Sequence, residues 1–104
     1  MTTKKFTGKL IAIDMYNCSE KIIKDEAAAK EQLQQACNSF GLQPCDIITR
    51  KEEEQSEYSL FAICKQGHVT LHIYPNMGFA TADVFSCMES AEPENVAKFL
   101  RTYF

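Results

Sequence analysis

Residues 68–74 carry the side chains of this sequence that are best suited to chemistry. Hydrogen-bonding residues alternate there with apolar ones: His68, Thr70, His72 and Tyr74 with Val69, Leu71 and Ile73. A period of two predicts a strand with an apolar face toward a core and a polar face that serves a site or an interface. Residues four apart on a strand are separated by about 13 Å, so His68 and His72 cannot share one ion. We therefore predict no metal site.

Cysteine is the other reactive residue type in the sequence. The five thiols are Cys18, Cys37, Cys45, Cys64 and Cys87. Their odd number and the absence of a C-x-x-C pair argue against a disulfide framework and against a zinc ribbon. We predict reduced thiols that are mostly buried. Cys87 closes a predicted strand, where a small buried thiol and a functional thiol are equally compatible with the pattern.

The elements that position these residues follow from hydrophobic periodicity. Alternation over residues 8–16 predicts a first strand, and further extended runs cover residues 45–51, 58–65, 68–74 and 79–87. An apolar stripe of helical period over residues 26–40, followed by Gly41, predicts one helix. Pro93 opens a second stripe that contains Val96, Phe99, Leu100 and Tyr103. This order predicts an α+β, two-layer sandwich: an antiparallel sheet with two helices on one face.

Composition limits the classes of partner. The 104 residues are 45% hydrophobic and 24% charged, which is typical of one globular domain, so we predict a single domain over residues 1–104. The net charge of -3 provides no basic surface for nucleic acid or an anionic membrane. The longest apolar run, residues 10–13, is far shorter than the roughly 20 residues of a transmembrane helix. A cytoplasmic protein is expected.

Residues 67–75 read G-H-V-T-L-H-I-Y-P, and they are followed by G-F-A at 78–80 and D-V-F-S-C at 83–87. This stretch resembles the S-H-x-[ST]-I-H-T-W-P-E-x-G-Y-A-A-x-D-x-F-T-C segment of the short prokaryotic S-adenosylmethionine decarboxylases, without a gap. The similarity extends to the family's first strand, which matches Gly8, Lys9, Asp14, Tyr16 and Cys18, and to the start of its second helix, which matches Pro93. It is densest over residues 67–87 and weakest over residues 42–57.

The resemblance implies a self-cleaving proenzyme. In that family a serine is converted into a pyruvoyl group, the cofactor that accepts electrons during decarboxylation. By position, Ser59 and His72 match the residues that assist self-cleavage, and Cys87 matches the proton donor of decarboxylation. The serine itself is replaced by Gly67, which has no Oγ to attack with and no Cβ to eliminate across. The resemblance therefore implies a pyruvoyl cofactor that cannot form here, and we expect none.

Further departures concern the binding of substrate. Gln66 stands where the family has a glutamate before its serine. Asn76 stands where the family has the acid that is expected to bind the ribose hydroxyls. The family's aromatic segment, which stacks on adenine, aligns with residues 50–54, where a charged hairpin is expected instead. We predict that Tyr58 or Phe61 stacks on a ligand in place of the lost ring. An aromatic–base stack contributes about 1–3 kcal/mol to binding.

Three functions remain open on the sequence. The first is an inactive homologue with a binding or regulatory role in polyamine (spermidine) metabolism, as a homodimer or as a heterodimer with an active S-adenosylmethionine decarboxylase. The dimer would form through the sheet face opposite the helices, where the retained residues would serve a partner's site. The second is an active pyruvoyl-dependent decarboxylase seen as a blocked proenzyme, with Gly67 engineered or another residue processed. The third is a module that senses S-adenosylmethionine or a polyamine.

Overall fold

The computed structural model describes residues 6–42, 45–52, 56–88 and 90–104. Along the chain the elements are β1 (Phe6–Met15), α1 (Glu20–Ile23), α2 (Glu26–Ser39), β2 (Cys45–Glu52), β3 (Glu57–Cys64), β4 (Gly67–Tyr74), β5 (Phe79–Met88) and α3 (Pro93–Tyr103). A 3₁₀ turn, Pro75–Met77, joins β4 to β5. The predicted strands and the two long helices are therefore present, with bounds that differ by a few residues at most.

All five strands form one antiparallel sheet in the order β1-β5-β4-β3-β2. Strands β2 to β5 are joined consecutively by short connections, which is why they pair as neighbours. Strand β1 pairs with β5, its distant partner in sequence, with a register irregularity between Phe6 and Lys9. The predicted α+β two-layer architecture is confirmed.

The two faces of the sheet differ in chemistry, as the period-two pattern predicted. The face against the helices holds fully buried side chains, among them Leu60, Val69, Leu71, Ala82 and Val84. We call the opposite surface the open face. Four of the five large hydrophobic side chains that are most exposed in the described chain lie on it: Leu10, Tyr16, Ile48 and Ile63. Within the described residues, this face of the sheet thus has no covering layer.

The long helices follow the capping rules. At the start of α2 the Asp25 carboxylate accepts a 3.0 Å hydrogen bond from the amide of Ala28, and Gly41 (φ +85°) ends the helix in a left-handed conformation. Helix α3 begins at Pro93 and buries Val96 and Leu100. In the part of the chain that the structure describes, none of the helices is both long and apolar enough to cross a bilayer.

Three features differ from the expectations. The pattern did not indicate α1, whose four residues are too few to show a helical period, nor the 3₁₀ turn. Cys64 is disulfide-bonded, so the prediction that all five thiols are reduced is wrong for this residue. Its Cα partner in the β2–β3 register is Cys45. Only the pairing of these two strands brings the two cysteines close together. Cys18, Cys37 and Cys87 are free, and the first two are buried as predicted.

Candidate functional site

Ser59 and His72 form the central polar pair of the open face. The β3–β4 register places them directly opposite each other, and Ser59 Oγ lies 2.8 Å from His72 Nδ1. The ring of Phe61 meets the imidazole edge-on, with centroids 5.8 Å apart. The pair is half-buried, so the imidazole is held in one orientation while the site stays open to solvent.

The pair belongs to a polar row that crosses the whole sheet. The cross-strand partners in this row are Arg50 on β2, Ser59, His72, Thr81 on β5 and Asp14 on β1. Thr81 Oγ1 lies 2.8 Å from a carboxylate oxygen of Asp14 and 3.1 Å from the carbonyl oxygen of Ile13. The sequence pattern placed His72 on the polar face of its strand, but only the register aligns it with the other four residues in one row.

A cavity of about 430 Å³ opens beside the Ser59–His72 pair. Its lining combines charged side chains with aromatic ones, including Arg50, Glu52, Phe61 and Tyr74. The Arg50 guanidinium and the Glu52 carboxylate are 3.4 Å apart at its outer edge. The rest of the predicted charged hairpin, residues 53–55, lies outside the described residues. The volume suits a small ligand, and the charged wall stands where the family's aromatic segment aligns.

A second cluster surrounds Gly67 at the start of β4. Lys65 and Gln66 form a two-residue turn, after which Gly67 pairs with Cys64 on one side and Ser86 on the other. The carbonyl oxygen of Gln66 accepts hydrogen bonds from the Cys87 amide at 2.9 Å and from the Cys87 thiol at 3.3 Å. Two donors therefore polarise the carbonyl that precedes residue 67.

These two clusters do not meet within one chain. Gly67 and His72 are five residues apart on the same strand, a separation of about 16 Å. Ser59, opposite His72, shares that separation. The structure thus brings Ser59 to His72 and Cys87 to the turn before Gly67, but it leaves the two groups apart.

The surroundings of Gly67 do not fit a pyruvoyl group. A Cβ added here would overlap the backbone carbonyl oxygen of Phe85, and it would lie 2.9 Å from the Phe85 carbonyl carbon and 3.0 Å from Ser86 Cα. All three are backbone atoms of the neighbouring strand, which cannot rotate away as a side chain can. The position lacks both the side chain that this group is made from and the space for it.

The remaining predicted ligand contacts lie in different places. Tyr58 is only 4% exposed and faces the helices, where its hydroxyl donates a 2.8 Å hydrogen bond to the carbonyl of Ile23. Tyr58 also borders the cavity, so its contact with a ligand stays a prediction. Phe61 lies on the open face beside the same cavity. Asn76 is exposed in the 3₁₀ turn after β4.

Comparison with solved structures defines the fold class. The chain superposes on the crystal structure of the adenosylmethionine decarboxylase from Aquifex aeolicus with a TM-score of 0.73, covering 95% of this chain and 81% of that one. Sequence identity between the two is 18%. The sandwich described above is therefore the fold of that decarboxylase.

Sequence comparison gives the family. The model of the S-adenosylmethionine decarboxylase family matches residues 9–104, and the chain belongs to this family. It is 30% identical over 96 residues to the S-adenosylmethionine decarboxylase proenzyme of Saccharolobus solfataricus, covering 92% of this chain and 76% of that protein. It is 27% identical over 99 residues to the proenzyme of Methanococcus aeolicus, covering 95% of this chain and 84% of that protein.

Proposed function

We propose that this chain is an unprocessed member of the S-adenosylmethionine decarboxylase family that acts in the cytoplasm as a binding or regulatory subunit of polyamine synthesis. Gly67 is the observation that carries the proposal. Self-cleavage requires an Oγ that attacks the preceding carbonyl and a Cβ from which the ester leaves. Glycine has neither atom, and no change of pKa or geometry supplies them.

The retained residues support a role in assembly. Ser59 and His72 are hydrogen bonded and oriented, yet they stand about 16 Å from their own residue 67 along β4. A second chain packed on the open face would bring them near residue 67 of that chain. We propose that Ser59, His72 and Cys87 serve a partner's site, and that the partner is an active decarboxylase of the same family.

The open face has the character of an interface. Leu10, Ile48 and Ile63 are each more than half exposed there, while the helices bury most of the opposite face of the central strands. Exposed aliphatic side chains gathered on one surface mark an association site. Self-association through the same face follows from the same chemistry, so a homodimer forms when no active relative is present.

Intact mass spectrometry tests the absence of processing. We expect one species near 11.8 kDa after prolonged incubation, with no carbonyl-reactive terminus and no release of labelled carbon dioxide from S-adenosylmethionine. Two fragments separated at residue 67, or release of carbon dioxide by the purified chain, would refute the proposal.

Co-purification with the host's active decarboxylase tests the partner. We expect a mixed oligomer on size exclusion and a change of several-fold in the partner's processing or decarboxylation rate. The matched control is Ser59→Ala with His72→Phe, which should still bind because the open face keeps its aliphatic residues, but should not change the rate. Absence of both the complex and the rate change would contradict the regulatory role.

The cavity favours a second candidate, a ligand sensor. Phe61 and the Arg50–Glu52 pair border a volume of about 430 Å³, which is compatible with S-adenosylmethionine or a polyamine. Calorimetric titration with S-adenosylmethionine, putrescine and spermidine tests this function. Binding that Phe61→Ala weakens at least tenfold, with no mixed oligomer, would favour the sensor over the subunit.

An active enzyme is the third candidate, because the relatives above are named proenzymes. It requires a residue other than Gly67 to be processed, because Gly67 has no Oγ to attack the Gln66 carbonyl. The mass measurement separates this candidate from the first.

A further inference from the structure

The contact between Gly67 and β5 has a consequence beyond the missing hydroxyl. We infer that position 67 has become a glycine-only backbone contact, so that restoring the serine does not restore self-cleavage. The proposed function rests on the missing serine in the natural chain, whereas the packing of the sheet around residue 67 would also block a restored serine.

The evidence is the position of the neighbouring backbone. A Cβ at residue 67 would overlap the Phe85 carbonyl oxygen and would lie 3.0 Å from Ser86 Cα. Real Cβ atoms essentially never come closer than 3.0 Å to such atoms. Any side chain here therefore requires the backbones of β4 and β5 to shift relative to each other at this point.

Separation of these strands is opposed from both sides. Gly67 is the first residue of the central strand β4, and it is paired on both sides, with Cys64 and with Ser86. Next to it, Cys87 donates its amide and its thiol to the Gln66 carbonyl. One residue further on, the rings of His68 and Phe85 stack with centroids 5.2 Å apart. Opening the sheet for a Cβ would strain all of these contacts.

The chain provides a matched control in Gly8. A Cβ added there would meet only the Phe85 ring, at 3.5 Å, which is ordinary van der Waals contact. Gly8→Ser and Gly67→Ser thus introduce the same side chain into the same sheet. Position 8 has space for it, and position 67 does not.

The experiment compares these two variants by melting temperature and intact mass. We expect Gly67→Ser to stay uncleaved and to melt about 5–15 °C below the Gly8→Ser control, the shift that overpacking produces in a domain of this size. If Gly67→Ser is insoluble, Gly67→Ala is compared with Gly8→Ala, with the same expected difference.

Two outcomes would overturn the inference. Either Gly67→Ser cleaves into two fragments with a carbonyl-reactive terminus, or the residue 67 variants melt within 2 °C of their residue 8 controls, about the error of such a comparison. Both outcomes leave the proposed function intact provided that the natural chain is itself uncleaved. Cleavage of the natural chain would instead defeat the proposed function.

Discussion

His72 is held by Ser59 through a 2.8 Å hydrogen bond between facing residues of β3 and β4. A side chain hydrogen bond of this kind contributes about 0.5–1.5 kcal/mol to stability. The pair is half-buried, so it is partly shielded from competition by water. The bond links two central strands on the face that the helices leave uncovered.

A double-mutant cycle measures this bond. We expect Ser59→Ala to lower the free energy of unfolding by about 0.5–1.5 kcal/mol, because His72 Nδ1 then loses its protein partner. In a His72→Phe background the same substitution should cost much less, giving a coupling of at least about 0.5 kcal/mol in urea denaturation. Ser39→Ala on the exposed end of α2 is the control. Additive effects of the two changes would contradict the assignment of this bond.

Leu33 tests the core beneath the sheet. Its side chain is fully buried where α2 packs on the sheet. Replacing it with alanine removes buried methyl groups and leaves a cavity, which should cost about 2–5 kcal/mol in chemical denaturation. Ile48→Ala on the open face removes an equally large side chain that is half exposed and should cost well under 1 kcal/mol in the monomer, roughly the range of surface substitutions. Equal losses would argue against the assignment of the two faces.

Alkaline pH should destabilise the fold through two buried acids. Burial raises the pKa of the Cys37 thiol to about 12. Burial, followed by the charges of Glu26, Tyr103 and Asp25, raises the pKa of Tyr58 well above its usual value. Both groups therefore release protons more readily in the unfolded chain. The stability that they contribute is complete below about pH 9, the ordinary pKa of a solvent-exposed thiol.

Above that pH the unfolded state binds fewer protons, so the free energy of unfolding should fall, by up to about 1.4 kcal/mol per pH unit for each group. Urea denaturation between pH 7 and pH 11 measures the slope. Tyr58→Phe and Cys37→Ala should each flatten it. Stability that stays constant through this range would show that these groups are accessible in the folded protein.

Charge on the open face should disrupt association. Ile48→Glu and Ile63→Glu place carboxylates on the surface that we propose as the interface, where desolvating them is costly. We expect each variant to weaken dimer formation at least tenfold in analytical ultracentrifugation while it remains folded. Lys30→Glu, on the exposed side of α2, should have no effect. An unchanged dimer in both open-face variants would place the interface elsewhere.

The sequence predicts those helices and strands whose apolar residues repeat with a clear local period. The alternation in β4 and the stripe of α2 each repeat over enough residues to fix which side chains face the core. The helix at Glu20–Ile23 is too short to show a period. The sequence does not show which face of β3 Tyr58 occupies, because an aromatic ring is compatible with either face, and its bond to the Ile23 carbonyl places it on the helix side.

The site was predictable only in its parts. Ser59, His72 and Cys87 were identified by resemblance, but the sequence does not contain the strand register. The register decides that Arg50, Thr81 and Asp14 join the Ser59–His72 row. The register also sets how close the Phe85 backbone lies to Gly67. Position 67 therefore lacks the space for a side chain as well as the side chain itself.

The Lys65–Gln66 turn also bears on how the protein folds. Because only two residues join β3 to β4, closing this loop has a small entropic cost. The β2–β5 meander can then assemble from local contacts, which favours rapid folding. Pairing of β1 with β5 joins distant parts of the chain and is the natural late step.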